Sequence, residues 1–211
     1  ETWSASGLTG VWAEANTRSA IYEAFRRKET FATSGPRIKI RLFASSDYPE
    51  DVLTSGAALT TAYKKGVPMG AELHTAGEDA PQLIAMATRD PNSAALQRLQ
   101  IVKGWTADGK NHERVYDIAC SDGGAVDPDT QRCPDNGAQV NLSNCAITQN
   151  VGAANLEMAW QDPDFNPNHR AFYYARVLEN PTCRWSTWDA IKAGVQPRSD
   201  LKKTLQERAW T

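Results

Sequence analysis

Histidine is scarce in this sequence and long apolar runs are missing. Only three imidazoles, His74, His112 and His169, occur in 211 residues, and no two stand at the intervals that pair ligands in a zinc site. A hydrolytic metal centre needs several convergent imidazoles and carboxylates with a coordination position open to water, so all three are expected to be surface or turn residues. No Gly-x-Ser-x-Gly, phosphate-cradling Gly-rich loop or dinucleotide-binding Gly motif is present, which removes the usual sequence signs of serine hydrolases, P-loop nucleotide hydrolases and Rossmann oxidoreductases. No apolar stretch approaches the roughly 20 residues that cross a bilayer as a helix. The opening Glu1-Thr2-Trp3-Ser4 has neither Met nor a basic leader followed by an apolar segment, so a removed signal peptide or a cut from a longer chain is expected, and the end at Ala209-Trp210-Thr211 points the same way. Net charge −2 and a pI near 6.0 supply no pull towards nucleic acid or anionic lipid, so neither is an expected partner.

What is present describes a soluble globular chain: 41% hydrophobic residues, 23% charged, mean hydropathy −0.54. The four cysteines are even in number, and Cys120, Cys133 and Cys145 fall in one Gly/Asp/Asn/Pro-rich stretch with little apolar content, while Cys183 lies further on. Such a stretch cannot pack a core of its own. Without Cys-x-x-Cys or paired His, disulfides account for the cysteines better than zinc, and they imply an oxidising compartment, periplasmic or secreted. A thiol nucleophile is not expected either, since none has an evident partner base. Four cysteines allow three connectivities. Chain proximity favours Cys120 with Cys133, leaving Cys145 with Cys183.

Periodicity gives the architecture. Residues 1–16 are Gly, Ser, Thr and Trp-rich with Leu8, Val11 and Trp12 as core candidates; from Asn16 or Thr17 a capped helix carries Ile21, Ala24 and Phe25 on one face and Arg26, Arg27 and Lys28 in its last turn. After Ser34-Gly35-Pro36, Ile38, Ile40 and Leu42 alternate with Arg37, Lys39 and Arg41, a half-buried strand. A helix is expected within Asp47 to Gly66, then strands over 81–89, 96–106 and 113–119 with turns at Asp90-Pro91-Asn92 and Asp108-Gly109-Lys110. Beyond the Cys-rich loop 120–155, alternation returns at 156–161 and 171–178, with a short helix near Trp188. The expected fold is mainly β: an antiparallel β-sandwich with an N-terminal helix and a disulfide-stapled long loop. Its division is an opening segment and helix at 1–36, the sandwich at 37–184 and a C-terminal tail at 185–211.

The loop also offers oxygen donors. Asp122, Asp127, Asp129, Asp135 and Asn136 stand close together among glycines, the donor chemistry that a hard cation such as calcium takes, though without the alternation and terminal Glu of an EF-hand loop. Calcium on Asp122, Asp127 and Asp129 is one expectation, and a solvated turn is the other. The aromatics Trp105, Trp160, Tyr173, Tyr174, Trp185 and Trp188 divide similarly between a sugar-stacking platform and ordinary packing; alternation puts Trp160 on the side of Leu156 and Met158.

Several long stretches resemble a known family. Gly7-Leu8-Thr9-Gly10-Val11-Trp12-Ala13-Glu14, Thr17-Arg18, Arg26-Arg27-Lys28-Glu29-Thr30-Phe31-Ala32-Thr33-Ser34-Gly35 and Gly66-Val67-Pro68-Met69-Gly70 are similar to the carboxy-terminal half of domain of unknown function 3604. So are Cys120-Ser121-Asp122-Gly123, Arg132-Cys133-Pro134-Asp135-Asn136-Gly137, Asp162-Pro163-Asp164-Phe165, Arg170 to Glu179, Pro181 to Thr187 and Gln206 to Trp210. The resemblance implies a bacterial, exported protein related to the PHP superfamily, whose amino-terminal barrel holds divalent metal, zinc or manganese, for hydrolysis of phosphoesters. It places the metal-ligand motifs before the region matching Glu1, so no ligand is carried onto this chain, and the missing barrel portion becomes the expected partner. On that reading Glu14, Asn16 and Arg18 could rim the parent active site; as local structure alone, Asn16 caps the helix and Arg18 pairs with a carboxylate. The chain by itself is expected to be an inactive accessory β-sandwich, the alternative being a glycan- or calcium-binding or structural module.

Overall fold

The computed structural model describes residues 6–74 and 79–211. The helix begins where the cap chemistry dictates. Thr17, extended at φ −127°, accepts the Ala20 amide on its hydroxyl at 3.3 Å, and α1 runs Arg18–Arg26. Thr17 rather than Asn16 is therefore the cap, one residue closer to the donor. Before α1 lies β1 (Leu8–Val11) and after it β2 (Thr30–Thr33), paired antiparallel with each other. Then come β3 (Lys39–Ser45), α2 (Ala58–Lys65, ending at Gly66), β4 (Val67–Pro68), β5 (Gln82–Thr88), β6 (Leu96–Ala107) and β7 (Lys110–Cys120). Asp108 and Gly109 both take left-handed φ, 51° and 71°, between β6 and β7, the backbone that a two-residue hairpin turn requires. The Cys-rich loop holds a small hairpin, β8 (Val140–Asn141) and β9 (Ala146–Ile147). β10 (Asn155–Gln161), β11 (Ala171–Glu179), β12 (Thr182–Cys183), α3 (Trp185–Ala193), β13 (Thr204–Leu205) and β14 (Arg208–Trp210) follow.

Two antiparallel sheets form the sandwich, one ordered β1-β2-β14-β11-β6-β7 and the other β10-β5-β3-β4. Their facing sides meet in one core: Ile40, Leu42, Ala85, Ala87 and Leu156 from the smaller sheet, and Leu99, Ile101, Tyr116, Ala175, Val177 and Ala209 from the larger. The other side of the smaller sheet is also covered, since Phe43 and Ile84 are buried against Val52 and Ala62. Alternation in β3 therefore separates two packed faces, not core from solvent, with Lys39 and Arg41 left on the second face towards its rim.

The larger sheet does not respect the division expected from sequence. β1 and β2 come from the opening segment and β14 from the tail, yet β14 lies between β2 and β11, with Ala209 opposite Thr33 and Val177 opposite Ala209. Residues 1–36 and 185–211 thus contribute strands to the sandwich itself and are not appendages. Side chains reinforce that join. Trp12 Nε1 donates to the Ile40 carbonyl at 2.9 Å, Arg41 lies 3.5 Å over the Trp12 ring, and the Tyr63 hydroxyl donates to the buried Glu29 carboxylate. Burial and that carboxylate raise the Tyr63 phenol to about 12.

Candidate functional site

The cysteines pair as chain proximity favoured, Cys120 with Cys133 and Cys145 with Cys183. Around the first bridge the loop docks on β6 and β7. Asp117, 1% exposed on β7, accepts from the Cys133 amide at 2.8 Å and from Gln100 Nε2 at 2.5 Å, and forms ion pairs with Arg98 and Arg132 at 3.3 and 3.4 Å. Gln97, Ser121, Asp122, Asp135 and Asn136 line a recess of about 260 Å³ beside the bridge. Asn136 is its keystone: it accepts from Gln97 and donates to Ser121, Asp122 and Asn180.

The three candidate calcium ligands are not grouped. Asp127 caps its own turn, accepting the Thr130 amide at 2.8 Å and the Asp129 amide at 2.9 Å, and Thr130 first, then Asp129, holds its carboxyl below the usual range. Asp122 is held low by the Ser121 hydroxyl first, with the Gly152 amide and Asn136 adding to it. Among the described residues no three His, Cys, Asp or Glu side chains are grouped to hold a metal ion. Glu14, Asn16 and Arg18 are all exposed, and among the described residues Arg18 forms no ion pair. The histidines are dispersed: His74 beside Glu72, His112 stacked on Trp105 at 5.2 Å, and His169 beside Asn166.

A second polar assembly was not visible from sequence. Lys103 sits on the core side of β6 with Tyr173 and Arg114 opposite it on β11 and β7. It is 1% exposed and ion-paired with Asp162, 4% exposed, from the loop after β10. Tyr173 donates to the same carboxylate at 2.7 Å, Tyr116 donates to Asp164 at 2.5 Å, and Lys103 also donates to the Asp164 carbonyl at 2.7 Å. Burial, then these hydrogen bonds to carboxylates, pushes both phenols far above their ordinary range, so both stay protonated donors. The Asp162-Pro163-Asp164 turn thereby closes one end of the sandwich over a charged pair.

Glu179, at the other end of β11, is fully buried. Ser93 donates to its Oε2 at 2.5 Å, while Oε1 has no hydrogen-bond partner among the described residues. Burial first, with the Glu207 and Asp90 charges adding to it, raises the carboxyl from 4.5 to about 7. A folded pKa above the unfolded one means that the native state holds the extra proton between those values, so this group's contribution declines as pH rises from about 4.5 to 7. Glu179→Gln should therefore stabilise the protein at pH 8 by about 1–3 kcal/mol relative to the parent and change little at pH 4.5. Urea unfolding at the two pH values checks this, and an equal effect at both would remove the titration from the account.

On the outer side of the larger sheet, Tyr174 and Arg176 of β11 and Arg208 and Trp210 of β14 line a cleft of about 380 Å³ with Thr211. Trp210 stands opposite Arg176, and Arg208 opposite Leu178. The aromatics weighed as one platform are divided by strand alternation. Tyr173 and Trp160 pack against the core, whereas Tyr174 faces outward.

These features define a disulfide-stapled, two-sheet antiparallel sandwich with polar side chains built into both ends, a class of β-sandwich domain with no metal cluster among its described residues. The chain belongs to the family described as Protein of unknown function (DUF3604), which matches residues 1–211. An "Uncharacterized protein" of Chlamydia trachomatis serovar D is 27% identical over 157 residues, 74% of this chain. The chain spans 22% of that relative's length. No solved structure matches it.

Proposed function

We propose that this chain is the accessory, carboxy-terminal β-sandwich of an exported bacterial protein whose catalytic portion is a PHP-like metal-dependent hydrolase, acting on phosphoesters with zinc or manganese held outside this chain. The observation that carries the reading is the use made of the motif side chains. Trp12, Glu29, Asn136, Asp162, Asp164, Tyr173, Cys120, Cys133 and Cys183, all within the family motifs, are engaged in joining strands, pinning the loop and closing the sandwich. Residues used this way serve a scaffold. A supporting feature is α1, where Tyr22 and Phe25, three apart on one face, are 59% and 49% exposed and offer apolar surface to a neighbouring portion. The two disulfides support the periplasm or the cell exterior.

The test compares residues 1–211 with a longer family protein that includes this region. The short chain, disulfides intact and supplied with zinc or manganese, should release no nitrophenol from mono- or bis-(p-nitrophenyl) phosphate above the metal blank. The longer protein should copurify with stoichiometric metal and turn over. Metal-dependent turnover by residues 1–211, or a longer protein that neither holds metal nor hydrolyses either ester, overturns the reading.

A further inference from the structure

The outer cleft has a composition that scaffold duty does not explain. Arg176 and Arg208 both line it, and among the described residues neither has a carboxylate partner. Arg176 donates through Nε to Gln100 at 2.7 Å, which fixes the guanidinium plane yet leaves its terminal nitrogens for another acceptor. Arg208 donates only distantly, at 3.4 Å, to the Gln206 carbonyl. Elsewhere Arg98 and Arg132 pair with Asp117 and Arg114 with Asp164, and Arg41, which has no carboxylate partner among the described residues, lies over the Trp12 ring and donates to the Tyr63 hydroxyl. Two guanidinium groups without a carboxylate partner, on adjacent strands and lining one cleft, suit a planar anion.

Aromatic surface accompanies that charge. Tyr174 and Trp210 are half-buried in the cleft wall, and Phe172, two residues before Tyr174 on the same side of β11, is 62% exposed. Gly104, opposite Phe172 on β6, makes room for that ring, because a Cβ there would come within 2.3 Å of it. The exposed phenyl thus lies against the sheet, and Phe172 and Tyr174 lead along β11 to Arg176, with Trp210 opposite it and Arg208 further on, opposite Leu178. Apolar rings beside an anion fork complement a ligand having both a C–H face and a carboxylate or sulfate, namely an acidic sugar.

We propose that this cleft binds an anionic glycan, with a sugar ring stacked on Trp210 or Tyr174 and its acidic group held between Arg176 and Arg208. A volume of about 380 Å³ lies at the lower end of the range for ligand clefts, enough for a short stretch of a polymer. Single-stranded nucleic acid also combines stacking with phosphate contacts, but it requires a basic groove following the backbone. This chain has net charge −2, and among the described residues lining the cleft Arg176 and Arg208 are the only cations. The binding site does not depend on the hydrolase reading, and it can fail or stand without it.

The experiment is isothermal titration of residues 1–211, disulfides intact, with oligogalacturonate and with a sulfated disaccharide repeat as the two acidic sources, and with a neutral cello-oligosaccharide and oligo-dT as comparators. Binding to at least one acidic glycan is expected, weakening with salt and at least tenfold tighter than to the neutral sugar; which of the two binds identifies the acid as carboxylate or sulfate. Arg208→Gln, at an exposed position, should weaken it at least tenfold, and Trp210→Phe should retain more of it than Trp210→Ala. A melting profile of each variant separates lost binding from lost fold, and Arg208→Gln alone decides the case if the Trp210 variants unfold. No heat with either acidic glycan at millimolar concentration, equal affinity for the neutral sugar, tighter binding of oligo-dT, or a folded Arg208→Gln protein with unchanged affinity each overturns the proposal.

Discussion

Lys103→Met should cost about 3–5 kcal/mol of stability at neutral pH, a large share of the roughly 5–15 kcal/mol that a domain has. The methionine replaces most of the lysine stem, so little packing is lost. What is lost is the counter-charge. Asp162 is 4% exposed and would keep only the Tyr173 hydroxyl and its local backbone contact, the Asp164 amide at 2.9 Å, against the penalty of a buried carboxylate. The Asp164 carbonyl loses its ammonium donor as well. Asp162→Asn alone should be costly for the converse reason, leaving the Lys103 ammonium without its anion. The double variant should be much less impaired than the sum of the two, with a coupling of about 1–3 kcal/mol. Urea titration of the four proteins measures the cycle. Additive losses would mean that Lys103 and Asp162 act through separate contacts, and the end of the sandwich would need another explanation.

That lysine shows why part of the fold was legible in the sequence and part was not. Ile38, Ile40 and Leu42, Leu156 and Met158, and the Asp108-Gly109 turn announce themselves, because alternation and left-handed backbone are set within a few residues. In β6, Leu99, Ile101 and Lys103 alternate onto the core side in unbroken register with β11, while Val102 on the other side is buried as well, so the strand reads as an apolar run ending in a charge. Lys103 thus points inward in step with Leu99 and Ile101. A charged residue in that place looks solvent-facing unless the distant Asp162 is known to come back over it.

Length limits the signal in the tail. β14 has three residues, Arg208–Trp210, too short for a period, and its place between β2 and β11 is settled by contacts some 170 residues apart in the chain, such as Ser34 with the Arg208 amide and carbonyl. The same shortness concealed the cleft. Arg208 and Trp210 lie in the stretch assigned as a C-terminal tail, and only their pairing beside Arg176 and Tyr174 brings cation and ring together. The disulfide pairing was half legible: separation of 13 makes Cys120–Cys133 a local closure, whereas Cys145–Cys183 follows only once the first pair is assigned.

The two bridges should differ in what their loss does, and removing Cys145–Cys183 should be the more damaging. Replacing both cysteines with serine opens a closure of 38 residues in sequence separation, against 13 for Cys120–Cys133. Chain-entropy reasoning assigns about 3–4 kcal/mol to the longer loop and about 3 kcal/mol to the shorter. Local contacts widen that small difference. If Cys120–Cys133 is removed, the Cys133 amide still bonds Asp117, Arg132 still pairs with it, and Asp127 still bridges to Arg132. Residues 139–149 have no such reserve: among the described residues their hydrogen bonds are made within that stretch, around the β8–β9 hairpin. Cys145, 4% exposed, is the covalent tie from the hairpin to Cys183 and so to the segment leading into α3. Cys145→Ser with Cys183→Ser should lower stability by about 3–4 kcal/mol and open residues 139–149 to proteolysis under native conditions. Cys120→Ser with Cys133→Ser should lose about 2–3 kcal/mol with the loop still protected. Urea midpoints and mass-mapped limited digestion read both outcomes, and early cleavage within 121–132 in the second variant, with 139–149 intact in the first, would reverse the assignment of which bridge holds the loop.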